Sequence, residues 1–165
     1  ARVGLVDDTV SGAQLETIAD DVAGVAREGV QTLRAAAEIA VEREHGRIYD
    51  ADVDDAYERA RSSIREANLS SLPFHHRVLY ELIRTAGEAT GQQLHARYEE
   101  VEEEVYANHK RTPISRRARR NKLDKLRAYD LVERERLDHR YLYSVIDSSL
   151  ESCHTTLSIP PVSQV

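Results

Sequence analysis

The sequence predicts a mainly α-helical protein of two small domains, the second of which ends in a β-hairpin. Three observations predict this class. Apolar residues recur at helical spacing in five successive segments between residues 12 and 105. A sixth segment, residues 115–128, is strongly basic and keeps the same spacing. Beyond it, polar and apolar side chains alternate over 131–137 and 141–146, as is typical of paired strands.

The first domain is predicted to cover residues 1–68 and to contain three helices. Ser11 and Asp50 can cap the first and third helices, and Gly46 can close the second. The three helices are predicted over residues 12–24, 25–45 and 50–67. Their expected apolar faces comprise Leu15, Ile18, Ala19 and Val22; Val30, Leu33, Ala37, Ile39, Ala40 and Val41; and Val53, Ala56, Tyr57, Ala60 and Ile64.

A stretch with two serines and a proline, residues 69–73, predicts a hinge before the second domain, residues 74–147. In that domain Gly87 can end a helix that begins at 74, and Thr90 and Ser115 can cap the next two. A tight turn at 138–140 then joins the two strands. The order helix, helix, helix, strand, turn, strand is that of a winged helix-turn-helix.

Composition indicates a soluble globular protein, with 41% hydrophobic and 32% charged residues and a net charge of −6. No apolar run approaches the roughly 18 residues of a membrane span, and no secretory leader stands at the start, so we expect a cytoplasmic, nucleoid-associated protein. The single cysteine, Cys153, excludes internal disulfides and CxxC zinc sites. Residues 148–165 are expected to form a loosely held tail, and the start at Ala1 without Met predicts a fragment.

One short segment is basic inside an acidic chain. Residues 110–140 carry 12 basic and 5 acidic side chains, whereas residues 1–70 carry 8 basic and 15 acidic ones. Residues 110–123 contain seven basic residues and no acidic residue, which is unlike an ordinary solvated helix face. Local charge determines where a polyanion docks. Because 20 of the 23 basic residues are arginine, we also expect a protein that works in concentrated salt.

The basic helix at 115–128 predicts binding of double-stranded DNA. In a helix-turn-helix, the first half of the third helix enters the major groove, where arginine can pair with guanine. Ala118, Leu123 and Leu126 are expected to face inward. The predicted contacts are Arg116, Arg117, Arg119, Arg120 and Lys122, projecting outward from the helix; Lys110 and Arg111, which precede it; and Arg140, at the hairpin tip.

Other chemistry is disfavoured by the same pattern. His75 and His76 are neighbours that do not share a helix face, so metal binding there is not expected. The acidic run at 99–104 is interpreted as the exposed face of its helix. No Ser/His/Asp arrangement and no GxxxxGK[ST] phosphate loop occurs. We therefore expect no catalytic residue and no metal in this chain, and no enzymatic activity of its own.

Two alternatives stay open on these residues. One is a transcription regulator that dimerises through its amino-terminal helices and binds DNA through the winged helix. The other is a winged helix that binds an acidic protein partner instead of DNA. A tight dimer would favour the first, and negligible binding to duplex DNA at low salt would favour the second.

Four segments together resemble the C-terminal half of the archaeal origin recognition complex and cell division control family of AAA+ ATPases, over about residues 4–147. The segments are TLRAAAEIAVERE at 32–44, GRIYDADVDDAYERA at 46–60, LPFHHRVLYELI at 72–83 and ISRRARRNKLDKLRAYDLVE at 114–133. The first domain then resembles the helical lid of the AAA+ module, and the second resembles the family's winged helix.

The resemblance implies a replication initiator that binds origin DNA and helps to load the replicative helicase, together with other initiator subunits. It also implies a full-length parent that binds ATP or ADP with Mg²⁺ through Walker motifs, which this chain lacks. Gly24, Ala26 and Arg27 match the family's nucleotide-sensing stretch, with Val25 where the family has aspartate. The resemblance therefore implies that Arg27 senses the phosphates of the nucleotide.

Overall fold

The computed structural model of the protein describes residues 9–21, 26–107 and 109–151, with only the backbone described for 19–21. Contacts between Cα atoms divide the chain into two units, Ala1–Ile64 and Arg65–Val165. The elements are α1 (Gly12–Asp21), α2 (Ala26–Glu42), α3 (Asp50–Ser71), α4 (Phe74–Ala86), β1 (Glu88–Thr90), α5 (Gly91–Tyr106), α6 (Arg116–Ala128), β2 (Val132–Leu137) and β3 (Arg140–Val145). Cys153 and the side chains of Ala19 and Val22 lie outside the described residues, as does the tail from residue 152.

The core of the first unit is built mainly from small side chains of α2 and α3. The buried face of α2 comprises Thr32, Ala35, Ala36, Ile39 and Ala40, which recur at the spacing of one helix face. Val30 and Val41, which the sequence predicts in this core, are instead 66% and 76% exposed. They are exposed because their positions fall outside that face.

The end of α2 is closed by Glu44, and not by Gly46 as the sequence predicts. Glu44 has a left-handed φ of 57°. The His45 amide donates to the Ala40 carbonyl at 2.8 Å, and the Glu44 amide donates to the Val41 carbonyl at 3.0 Å. These two bonds form a Schellman motif, which satisfies carbonyls that the helix leaves free at its end.

A buried carboxylate organises the start of α3. Asp50 is the first helical residue, and the carboxylate of Asp52, which is fully buried, accepts hydrogen bonds from the Tyr49 amide, His45 Nδ1 and Arg43 Nη1, each at 2.9 Å. Burial alone would raise the pKa of Asp52, but these donors outweigh it and lower the pKa to about 2.

We expect Asp52→Asn to lower the free energy of unfolding of the first unit by about 2 kcal/mol at neutral pH, because hydrogen bonds to a charged group are lost. The pKa of Asp52 is lower in the folded protein than in the unfolded chain. The stabilisation by its carboxylate is therefore fully present above the unfolded pKa and is lost as the pH falls through the folded pKa. Thermal unfolding should therefore show a wild-type advantage that disappears between about pH 4 and pH 2.

Asp55→Asn is the matched control, because Asp55 also pairs with Arg43 but is 57% exposed. We expect it to cost less than about 1 kcal/mol, as exposed ion pairs usually do. Equal losses for the two variants would contradict the role assigned to Asp52.

The third helix is longer than the sequence predicts and continues to Ser71. Residues 69–71, expected to belong to a hinge, are therefore helical. The reason is that Leu69 and Leu72 are buried in the core of the second unit, where they pack with Phe74. Only Leu72 and Pro73 separate α3 from α4.

The second unit contains a three-stranded antiparallel sheet in the order β1-β3-β2. The hairpin of β2 and β3 turns at Asp138 and His139, so Arg140 is the first residue of β3 and pairs with Leu137. Strand β1, which the sequence does not predict, places Ala89 opposite Tyr143. With α4, α5 and α6, this sheet completes a winged helix, and the predicted mainly α-helical fold class is confirmed.

Candidate DNA interface

The start of α6 is held by two hydrogen bonds. The Ser115 hydroxyl caps the helix by accepting from the Ala118 amide at 3.3 Å. One residue earlier, the Ile114 amide donates to the Tyr98 hydroxyl of α5 at 3.1 Å. Leu123 and Leu126 bury the opposite face of the helix. These contacts determine which side of α6 is left for a ligand.

Arg119 does not project outward, which corrects the prediction for this residue. Its side chain is only 3% exposed, since it lies one turn before Leu123 on the buried face. The guanidinium carbon lies 4.4 Å from the centre of the Tyr98 ring, and Nη2 donates to the Glu99 carboxylate at 2.9 Å. In the free protein Arg119 therefore joins α6 to α5.

Glu99 also binds Arg116, which is 63% exposed at the start of α6. Nε and Nη2 of Arg116 each donate to one carboxylate oxygen, both at 3.1 Å, in a two-pronged arrangement. Hydrogen bonds from Arg116 and Arg119 lower the pKa of Glu99 to about 2, so the carboxylate stays charged. The sequence predicts an exposed acidic run here and gives no sign of this role for Glu99.

The other three predicted contacts on α6 lie on two sides of the helix. Arg117 and Arg120 are exposed and have no ion-pair partner among the described residues. Lys122 is half-buried on the side of α4, where its charge adds to burial in lowering the pKa of His75 and His76. The cations of α6 thus form a band around the helix and not a single stripe.

Four arginines from three elements line one groove of about 720 Å³ between α6 and the hairpin. They are Arg116 and Arg120 of α6, Arg134 of β2 and Arg140 of β3. The N-terminal end of α5, residues 90–92, forms another wall. Amide groups at a helix N-terminus favour an adjacent phosphate, so the wall and the arginines favour the same kind of ligand.

His95 lines the same groove from α5 and is buried. Its Nδ1 has no hydrogen-bond partner among the described residues. Burial lowers the pKa of His95, and the nearby cations Arg119, Arg116 and Arg120 lower it further. The imidazole is therefore neutral at neutral pH and adds no charge to the groove.

The hairpin contributes one predicted contact and two residues that the sequence analysis does not assign. Arg140 lies in the groove as predicted from its place near the tip. Arg134 stacks with its guanidinium carbon 4.2 Å from the centre of the Tyr141 ring, and both line the groove. The sequence contains a signal for the position of Arg134. Side chains of a strand alternate between its two faces, so Arg134 lies on the same face as Val132, which is buried.

Of the predicted residues on α6, Arg117, Arg119 and Lys122 do not line the groove, and three further predicted residues lie outside both α6 and the groove. Lys110 and Arg111 are exposed before α6, and the Arg111 guanidinium carbon is 5.3 Å from the centre of the Phe74 ring. Arg27 is exposed in the first turn of α2, in the other unit, and its neighbours Gly24 and Val25 lie outside the described residues. Its assignment as a nucleotide sensor stays a prediction.

The described part of the chain contains no helix that is both long and apolar enough to cross a membrane. Within residues 9–21, 26–107 and 109–151, no three histidine, cysteine or acidic side chains come together as a metal site.

No model of a known protein family matches the chain. An ORC1-type DNA replication protein from Halobacterium salinarum is 33% identical over 154 residues, which make up 92% of this chain and 41% of that protein. The ORC1 protein of Aeropyrum pernix, solved in complex with DNA, superposes with a TM-score of 0.65 at 18% identity, over 85% of this chain and 39% of that one. This second likeness shows the fold alone.

The chain spans about two fifths of the length of each of these relatives. The Halobacterium relative also fits the prediction, from the acidic composition and the preference for arginine, of a protein that works in concentrated salt. The resemblance carried by the four sequence segments is thus confirmed, and the chain is a homologue of an ORC1-type DNA replication protein.

Proposed function

We propose that this chain is the origin-binding part of a replication initiator and that it binds double-stranded DNA through its winged helix. The observation that carries the proposal is the groove lined by Arg120, Arg134 and Arg140, which have no ion-pair partner among the described residues. Three such guanidinium groups around about 720 Å³ of open space suit a phosphate backbone, because each can donate two parallel hydrogen bonds to phosphate oxygens. Arg116 lines the same groove but is held by Glu99.

The remaining cations then have separate roles on the duplex. Arg117 lies on the outer face of α6, which enters the major groove. Lys110, Arg111 and Lys122 hold phosphates beside it, and Arg140 brings the hairpin to the backbone or the minor groove. The A. pernix ORC1 protein, which shares the fold, was solved in complex with DNA, and this supports the proposal.

A salt titration tests the proposal. With a fluorescein-labelled random-sequence duplex, we expect binding by anisotropy at about 0.05 M salt and a logarithmic slope of about −2.7 or steeper, since Arg120, Arg134 and Arg140 supply three phosphate contacts and Lys110, Arg111 and Lys122 can add to them. Affinity should then fall at least roughly fortyfold between about 0.05 and 0.2 M salt. Absence of binding at the lowest salt, or a slope shallower than about −1, would contradict the proposal.

We also propose that the full-length protein binds ATP or ADP with Mg²⁺, that Arg27 contacts the nucleotide phosphates, and that the DNA-bound protein recruits the helicase and other initiator subunits. The chain has no phosphate loop, so by itself it is not expected to hydrolyse ATP. Arg27→Ala in the full-length protein should weaken binding of labelled ATP, while Arg47→Ala should not. Unchanged affinity would remove the sensor role.

One observation favours the dimeric regulator as a second candidate. Val30, Leu33, Ala37 and Val41 line an apolar groove of about 900 Å³ on α2, and Val30 and Val41 are among the most exposed apolar residues of the described chain. Light scattering separates the two candidates. A mass of 18.7 kDa favours the initiator, and a dimer that Val41→Glu dissociates favours the regulator.

A further inference from the structure

Glu99 is an acidic residue placed among the cations that are proposed to bind DNA. Its carboxylate binds two arginines of α6 at once, Arg116 at 3.1 Å through both oxygens and Arg119 at 2.9 Å through one. Glu99 itself is 43% exposed, and it binds Arg116, which lines the groove. Glu99, Arg116 and Arg119 together carry a net charge of +1, because the carboxylate cancels the charge of one of the two arginines.

The two arginines differ in what they need from Glu99. Arg119 is only 3% exposed, so the Glu99 carboxylate and the Tyr98 ring replace most of its contact with water. Arg116 is mostly exposed and lines the groove, so it could bind DNA if it were free. A residue needed only to neutralise Arg119 would not have to hold Arg116 through both oxygens.

We propose that Glu99 is a positioning residue that withholds Arg116 from the DNA backbone. A phosphate must compete with the Glu99 carboxylate, which already accepts hydrogen bonds from Nε and Nη2 of Arg116. The negative charge of the same carboxylate also repels the phosphate. Arg116 therefore adds little to binding of random-sequence DNA. This inference rests on the proposed function and concerns the same groove.

The first test is Glu99→Gln, measured by anisotropy with a random-sequence duplex. We expect the affinity to rise about three- to tenfold. The logarithmic salt slope should become steeper by about 0.9, because Arg116 now displaces a counterion. Glutamine keeps the shape and still accepts a hydrogen bond from Arg119, and circular dichroism melting checks that the variant folds. Glu103→Gln, an exposed change on α5, is the matched control and should alter neither quantity by as much.

The second test compares arginine deletions in two backgrounds, the first of which leaves the Glu99–Arg119 pair intact. In the wild-type background, Arg116→Ala should lower the affinity less than about twofold, whereas Arg120→Ala should lower it about three- to tenfold. In the Glu99→Gln background, Arg116→Ala should cost as much as Arg120→Ala. A purely structural role for Glu99 would not make the effect of Arg116 depend on residue 99.

The inference is overturned if Arg116→Ala costs as much as Arg120→Ala in the wild type, or if Glu99→Gln behaves like Glu103→Gln. Either result leaves the proposed function in place, because the wild-type chain still binds duplex. A wild-type chain that binds no duplex at low salt overturns the proposed function itself and the inference with it. The two failures are therefore distinguishable in one set of titrations.

Discussion

Reversing the charges of Arg120 and Arg140 together is expected to lower the affinity for duplex DNA at least about a hundredfold at low salt, since each reversal removes a contact and adds repulsion. Both residues line the groove, one from α6 and one from the hairpin. Neither takes part in an ion pair among the described residues, so the fold should tolerate Arg120→Glu and Arg140→Glu. Anisotropy at fixed salt measures the loss.

The matched control is the pair Arg27→Glu and Arg47→Glu, which makes the same change in net charge. Both residues are exposed in the first unit and belong to no part of the groove. We expect this double variant to bind DNA within a few-fold of the wild type. Comparable losses in the two double variants would mean that overall charge, and not the groove, determines binding.

Arg119→Ala is expected to lower the free energy of unfolding of the second unit by about 2 kcal/mol, because a charge-assisted hydrogen bond to Glu99 and the packing of a buried side-chain stem are both lost. The guanidinium is almost wholly enclosed between Glu99 and the Tyr98 ring. Urea unfolding followed by circular dichroism measures the loss.

Arg117→Ala is the natural comparison, since Arg117 lies two residues away and is exposed. It should change stability by less than about 0.5 kcal/mol, like most surface substitutions, and should reduce DNA affinity instead. If Arg117→Ala proved the more destabilising variant, the burial of Arg119 would not have the consequence that we assign to it.

Most helix bounds could be predicted, because the signals for them are local. Thr90 caps α5 through a reciprocal pair of bonds with Gln93, three residues away, and Ser115 caps α6 through Ala118. Gly87 ends α4 with a positive φ of 72°. Such contacts involve residues within one turn of each other, so the amino-acid order alone is enough to indicate them.

The failures in the fold came from residues whose state depends on a distant partner. Residues 69–71 read as a hinge from their composition, but Leu69 is buried in the core of the second unit and keeps them helical. Strand β1 is only three residues long, which is too short for alternation of polar and apolar side chains to be recognised. It forms by pairing with β3, where Ala89 lies opposite Tyr143. Neither partner can be inferred from the local sequence.

By itself the sequence determined that a basic helix follows two other helices and precedes a hairpin, since helical periodicity, caps and local charge lie within short stretches of chain. Only the tertiary structure decided which of those cations a ligand can reach. Glu99 is 17 residues from Arg116 and 20 from Arg119, and packing of α5 on α6 brings them within hydrogen-bond distance. The same packing buries Arg119, holds Arg116 in an ion pair, and leaves Arg120 with no ion-pair partner in the described part of the chain, beside Arg134 and Arg140. The physical reason is that a side chain's exposure depends on the element packed against it.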